Sequence, residues 1–172
     1  MAVEQPRQNG FTALELAIGL LILVTLAVIL ANAYQTYTVR VQVDAGIVLA
    51  DGLKPAIVKH LETHASLPRN RAVAGLSAAA TDSYSDYVKS IAVVHGRLDI
   101  TYGNSANPQI ADAVLSITPY QAPDSTIIWR CGRAATPTDG AGAELEIAGG
   151  SESQAVYRPG SVPERYQPGT CR

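Results

Sequence analysis

A chain of 172 residues with 13 basic and 15 acidic side chains, net charge −2, suits one domain with an appended helix. The near balance of charge excludes the basic footprint of a nucleic-acid-binding domain, and the apolar content excludes a disordered chain. Residues 1–10 lack the apolar stretch and the small-residue cleavage site of an ordinary secretory signal. An apolar run follows, in which the only non-aliphatic residues between Leu16 and Ala31 are Gly19 and Thr25. About 20 such residues are what a helix needs to cross the hydrocarbon of a bilayer.

Glu15 stands at the start of this run, and a charge in a membrane-length segment points to function and calls for a named partner. The plain reading is a single-pass anchor whose first turn emerges at the headgroups, with Glu15 reaching water. The sharper reading starts from Gly10. A cut after it would free an α-amine on Phe11, roughly one helical turn from Glu15 and cationic at neutral pH. That amine would answer Glu15 of a neighbouring copy, so the carboxylate would fix the axial register of an assembly.

Past Asn32 the helical period continues on one side, through Val41, Ala45, Val48, Leu49, Gly52, Leu53, Ala56, Ile57 and Leu61. One helix from Phe11 to about Ala65 would be roughly 80 Å long at about 1.5 Å per residue. Ser66-Leu67-Pro68 is the expected stop. Pro55 removes a backbone hydrogen bond from that helix, which predicts a kink between Gly52 and Pro55, with an end and restart as the alternative.

Residues 66–86 read as a surface loop with at most a short helix. The period then changes to two: Tyr87–Val94 and Arg97–Tyr102 flank His95-Gly96 as a hairpin, with Leu98, Ile100 and Tyr102 on one face. Further strands are expected at Val114–Thr118 and Thr126–Cys131, with Pro119, Pro123 and Asp124 marking the turn between them. This gives a four-stranded, antiparallel sheet whose apolar face covers the amphipathic half-helix. The tail from Gly132 is rich in Gly, Pro and Ser, with Ala143–Ala148 and Gln154–Tyr157 as a candidate extra hairpin. In an exported chain the even pair Cys131 and Cys171 favours a disulfide that closes this tail, and two free buried thiols are the alternative.

Gly10-Phe11-Thr12-Ala13-Leu14-Glu15-Leu16 resembles the cleavage and methylation motif of type IV prepilins. Residues Ala33 to Arg40 resemble the stretch after the membrane segment in type IVa major pilins. Thr126–Cys131 and Arg165–Arg172 resemble the two ends of their C-terminal disulfide loop. The resemblance implies a prepilin peptidase that cuts between Gly10 and Phe11 and methylates the Phe11 amine. It implies pairing of Glu15 with the next subunit's N-terminus, and an α+β fold of a long spine helix packed on an antiparallel sheet. It also implies a disulfide-bounded loop between Cys131 and Cys171. The organisation expected is a leader over 1–10, the membrane and assembly half of the spine over 11–33, and its amphipathic half over 34–65. A connecting loop over 66–90, the sheet over 87–131 and the disulfide-bounded loop over 131–172 complete it.

The function implied is structural: a pilus subunit without catalytic activity or cofactor, polymerising with itself into a fibre used in twitching motility, adhesion or DNA uptake. Its partners would be the prepilin peptidase, the assembly platform, minor pilins and, before assembly, the inner membrane, which it spans once with a periplasmic C-terminal domain. A minor pilin that primes or tips the fibre is the first alternative. A type II secretion pseudopilin is the second, disfavoured because that family usually has a calcium loop in place of the disulfide. Three departures stand out. Family members commonly carry proline where this chain has Asn32, and glycine where it has Val24. Their leaders are usually basic, whereas here Glu4 offsets Arg7.

Other candidate chemistry is weaker. His60-Leu61-Glu62-Thr63-His64 spaces two imidazoles by four, but it is not the H-E-x-x-H arrangement and reads as a solvated helix end. Gly140-Ala141-Gly142 lacks the context of a dinucleotide loop. Arg69, Arg71, Arg130, Arg133, Arg158, Arg165 and Arg172 are interspersed with acids and read as a mixed surface, convergence at a fibre tip to bind DNA or a host glycan being the rarer arrangement. No nucleophile–base–acid set can be assembled from spacing, and no metal site is expected.

Overall fold

The structure, a computed structural model, describes residues 12–149 and 154–172. Helix α1 (Ala13–Asp51) is 39 residues long, and α2 (Lys54–His64) follows after a two-residue turn. The chain divides into two compact units, residues 1–36 and 37–172.

In the first unit α1 presents apolar side chains on every side. Each large one from Leu14 to Leu30 is at least 50% exposed, as a lipid-facing helix requires. The few polar residues bond to the helix's own carbonyls. Thr25 Oγ1 donates to Ile22 O at 2.8 Å, Asn32 Nδ2 to Val28 O at 3.0 Å and Thr36 Oγ1 to Asn32 O at 3.1 Å. Each such bond lets a hydroxyl or amide sit in an apolar medium at little cost. The helix runs unbroken through Val24 and Asn32.

The second unit is a sheet in the order β1 (Val88–Val94), β2 (Arg97–Tyr102), β3 (Val114–Gln121), β4 (Ile127–Cys131), all antiparallel. The pairings Ile91↔Ile100, Val93↔Leu98, Ile100↔Leu115 and Leu98↔Ile117 put these side chains on one face, and all are buried. His95 and Gly96 both have positive φ, 49° and 78°, the backbone that a tight two-residue hairpin needs. Their amides bond to Arg69 O and Pro68 O, which ties the tip of the hairpin to the loop after α2.

Four expectations need correction. The buried stripe of α1 is Val39, Val43, Gly46 and Ala50, and Val41 and Val48 of the expected stripe are 45% and 71% exposed. Half of this face is Gly46 and Ala50, with the Tyr102 ring directly against Gly46, and such small residues give little hydropathy signal. Between Gly52 and Pro55 the hydrogen-bond ladder stops and restarts instead of bending through. Leu53 N bonds to Ala50 O, a tightened turn, and Pro55 falls in the first turn of α2, where a missing N–H is harmless.

Pro119 lies inside β3, not in the turn. Its carbonyl accepts Ala148 N, and its absent N–H faces the same edge, where pairing with β2 has already ended at Ile117. No bond to β2 is therefore lost, and on this edge Pro119 only accepts, at the end of the short pairing with β5. Lastly, Glu146–Ile147 (β5) pairs with Tyr120 and Gln121 of β3, and Gln154–Tyr157 forms no strand.

Candidate functional site

Thr12 and Glu15 close a reciprocal capping box on α1. Thr12 O accepts the first intrahelical bond, from Leu16 N, which makes Thr12 the N-cap and Glu15 the third helical residue. Glu15 N donates to Thr12 Oγ1 at 3.3 Å, and Thr12 N donates to Glu15 Oε2 at 2.9 Å. The Thr12 hydroxyl adds a third bond to Oε2, also at 2.9 Å. The carboxylate is thus fixed at the positive end of the helix by its own turn. Among the described residues no cation lies within ion-pair distance of Glu15. Gly10 and Phe11, the expected cleavage pair, lie outside the described residues. The capping role was not part of the sequence reading, although Thr12-Ala13-Leu14-Glu15 fits the S/T-x-x-E pattern.

In the second unit Tyr102 joins helix to sheet: its hydroxyl donates to Val43 O at 2.8 Å, and the residue is fully buried. Burial pushes its phenol well above the ordinary value, and the Asp44 carboxylate pushes it further. The outer face of the same helical stretch carries the exposed apolar residues Val41 and Val48.

Cys131 at the end of β4 and Cys171 in the last turn are bonded, with Cα atoms 4.6 Å apart and 40 residues of separation. The loop so closed is fastened again by Arg133 N to Cys171 O and by Arg40 Nε to Arg165 O at 2.9 Å. Arg130 lies 3.7 Å over the Tyr157 ring and donates to Tyr120 Oη and Ala134 O.

Arg71, expected on a mixed surface, is 5% exposed and donates to Ser77 O, Ile91 O and Ser83 Oγ, so it holds the loop after α2 against β1. Burial lowers its guanidinium pKa, with Asp82 opposing. His60 and His64 stack at the end of α2 with ring centroids 4.2 Å apart. No group of three or more metal-ligating side chains occurs among the described residues.

A membrane-length helix running into an α+β unit closed by a C-terminal disulfide defines a class: an α+β protein carried on a long apolar N-terminal helix. The chain belongs to the pilin family of bacterial filament proteins, whose family model matches residues 39–172. A fimbrial protein of Neisseria meningitidis serogroup A is 32% identical over 166 residues, 96% of this chain and 94% of its own. The type IV major pilin protein PilE1 of Neisseria gonorrhoeae is 32% identical over 167 residues, again 96% and 94%. The fimbrial protein EcpC of Eikenella corrodens is 30% identical over 125 residues, 72% of this chain and 82% of its own.

Proposed function

We propose that this pilin is the structural subunit of a type IV pilus, stored by its apolar helix in the inner membrane and transferred from there into a surface fibre. The observation that carries the reading is the all-round exposed apolar surface from Leu14 to Leu30, with a single charge, the carboxylate at its start. Such a surface has two stable environments, lipid and other copies of itself. Lateral packing of the helices then supplies most of the cohesion of the fibre. Near-full-length relatives named as major pilins favour the major subunit over a minor one.

Cleavage between Gly10 and Phe11 by a prepilin peptidase, with methylation of the new amine, releases the subunit for assembly. Glu15 then pairs with the Phe11 amine of the neighbouring copy, which aligns the two axially. Its Oε2 accepts both capping bonds, which leaves Oε1 to receive that amine. The C-terminal unit lies on the periplasmic side before assembly and on the fibre's exterior after it.

The capping box makes the test sharper than simple removal of the side chain. Glu15→Gln keeps an acceptor at the third helical position but loses the charge, whereas Glu15→Ala loses both. Both variants are expected to insert in the membrane and be cleaved, and both to assemble few fibres, measured as sheared pilin against total pilin. Wild-type fibre yield from Glu15→Gln would sink the charge-pairing role, because the cap alone would then account for Glu15.

A further inference from the structure

The last turn of α2 places His60 and His64 four residues apart on one face, with rings nearly parallel at 13° and centroids 4.2 Å apart. The hydrogen bonds around His64 fix its tautomer. Its Nδ1 lies 3.2 Å from His60 O, which can only accept, and 2.7 Å from Thr63 Oγ1. The Thr63 hydroxyl directs its own proton to the carbonyls of Lys59 and His60, at 2.9 and 3.1 Å, and so accepts from the ring. Both contacts put the proton on Nδ1 and leave the lone pair on Nε2. This is the outer-shell support that a metal-ligating imidazole ordinarily has.

The His60 ring makes no hydrogen bond among the described residues, so both of its nitrogens are open to a ligand. The rings open into a shallow cleft between α2 and residues 73–75. Lys59 also lines this cleft, and it is exposed, with a long flexible stem that lets its ammonium turn to water.

We propose that His60 and His64 form a two-imidazole site for a divalent transition metal of the imidazole-binding class, with Zn2+, Ni2+ and Cu2+ as candidates. Imidazoles at this helical spacing share one ion in many metal sites, and χ2 of histidine is a soft torsion. The His64 ring keeps its Nδ1 bonds, so the His60 ring, which makes none, is the one that turns to share an ion at the usual Zn–N distance of about 2.0–2.1 Å. Water fills the remaining positions, so the ion sits at the surface with open coordination sites. No acid is required, and Glu62, two residues from each histidine, falls on a different face of the helix.

The test is calorimetric titration of the full-length, untagged chain in detergent micelles with Zn2+. The expected result is one Zn2+ per chain, with affinity lowered at least about tenfold in His60→Gln and in His64→Gln. His95→Asn removes the remaining histidine at a positive-φ position that asparagine tolerates, and it should bind Zn2+ as the wild type does. Matched far-UV circular dichroism of all variants separates loss of ligands from loss of fold. Undiminished binding by the doubly substituted chain, or no one-to-one binding by the folded wild type, would overturn the site.

Discussion

A Cβ on Gly46 would stand 2.7 Å from Cε1 and Oη of Tyr102 and 2.9 Å from Cζ. The ring cannot retreat, because it is buried and its hydroxyl is bonded to Val43 O. Alanine would improve helix propensity by about 1 kcal/mol, but overpacking in a closed core costs about 1–3 kcal/mol. Gly46→Ala should therefore lower stability, read as a fall in the denaturant midpoint, and Gly46→Ala with Tyr102→Phe should recover part of the loss. A stabilised Gly46→Ala would show that α1 is free to shift away from the sheet.

A second residue-scale prediction concerns Asp124. Its carboxylate accepts from Thr126 N at 3.0 Å, and the bonds from Thr126 hold its pKa below the ordinary 3.8. A carboxyl whose folded pKa is depressed stabilises the fold fully above its unfolded value, and the contribution disappears as pH falls through the folded value. The stability gap between wild type and Asp124→Ala should accordingly be constant well above pH 3.8 and close below it. A gap that persists unchanged into stronger acid would show that the charge plays no part.

At the scale of elements, the strands were legible because two-residue alternation and one buried face go together, as Leu98, Ile100 and Tyr102 show. The face of α1 was not legible. Its contact runs through Val39, Val43, Gly46 and Ala50, and Gly46 has no room for a Cβ because the Tyr102 ring comes close, a distance that sequence alone does not carry. Pro119 misleads for a similar reason, since its place in β3 depends on β2 ending before reaching it. Arg71 and Glu15 look solvated or membrane-strained in sequence, yet each is held by hydrogen bonds, Arg71 from a loop and β1, Glu15 from its own first turn.

The C-terminal loop is held both by burial, through Val162, Tyr166 and Gln167, and by closure. The disulfide spans 40 residues, and a loop of that length removes roughly 4 kcal/mol of unfolded-chain entropy in the simple model. Cys131→Ser with Cys171→Ser should lower stability by an amount of that order. Hydrogen exchange should rise first at Gly132 and Arg133, whose amides bond to Ser116 O and Cys171 O. Equal protection in the reduced and oxidised chains would mean that the noncovalent contacts suffice.

For the whole molecule, the two apolar surfaces of α1 differ in what they can pack against. The residues from Leu14 to Leu30 are apolar all round and suit lipid, whereas Val41 and Val48 belong to a stretch whose opposite face is buried against the sheet. With the apolar run before Asn32 proposed to fill the membrane core, a stretch so placed needs a different partner. Under the proposed function its partner is a second copy in the fibre.

Val48→Lys tests this without touching the fold, because a substitution at a side chain 71% exposed changes stability by only about ±0.5 kcal/mol. The variant should insert, keep its disulfide and unfold at the wild-type midpoint, yet yield few sheared fibres. The reason is that a fibre contact would have to bury an unpaired ammonium. Val41→Lys should behave alike, and Lys at Val73, exposed but outside the helix, should assemble normally. Wild-type fibre yield from Val48→Lys would leave this face outside the subunit contacts and place the cohesion of the fibre in the preceding apolar run alone.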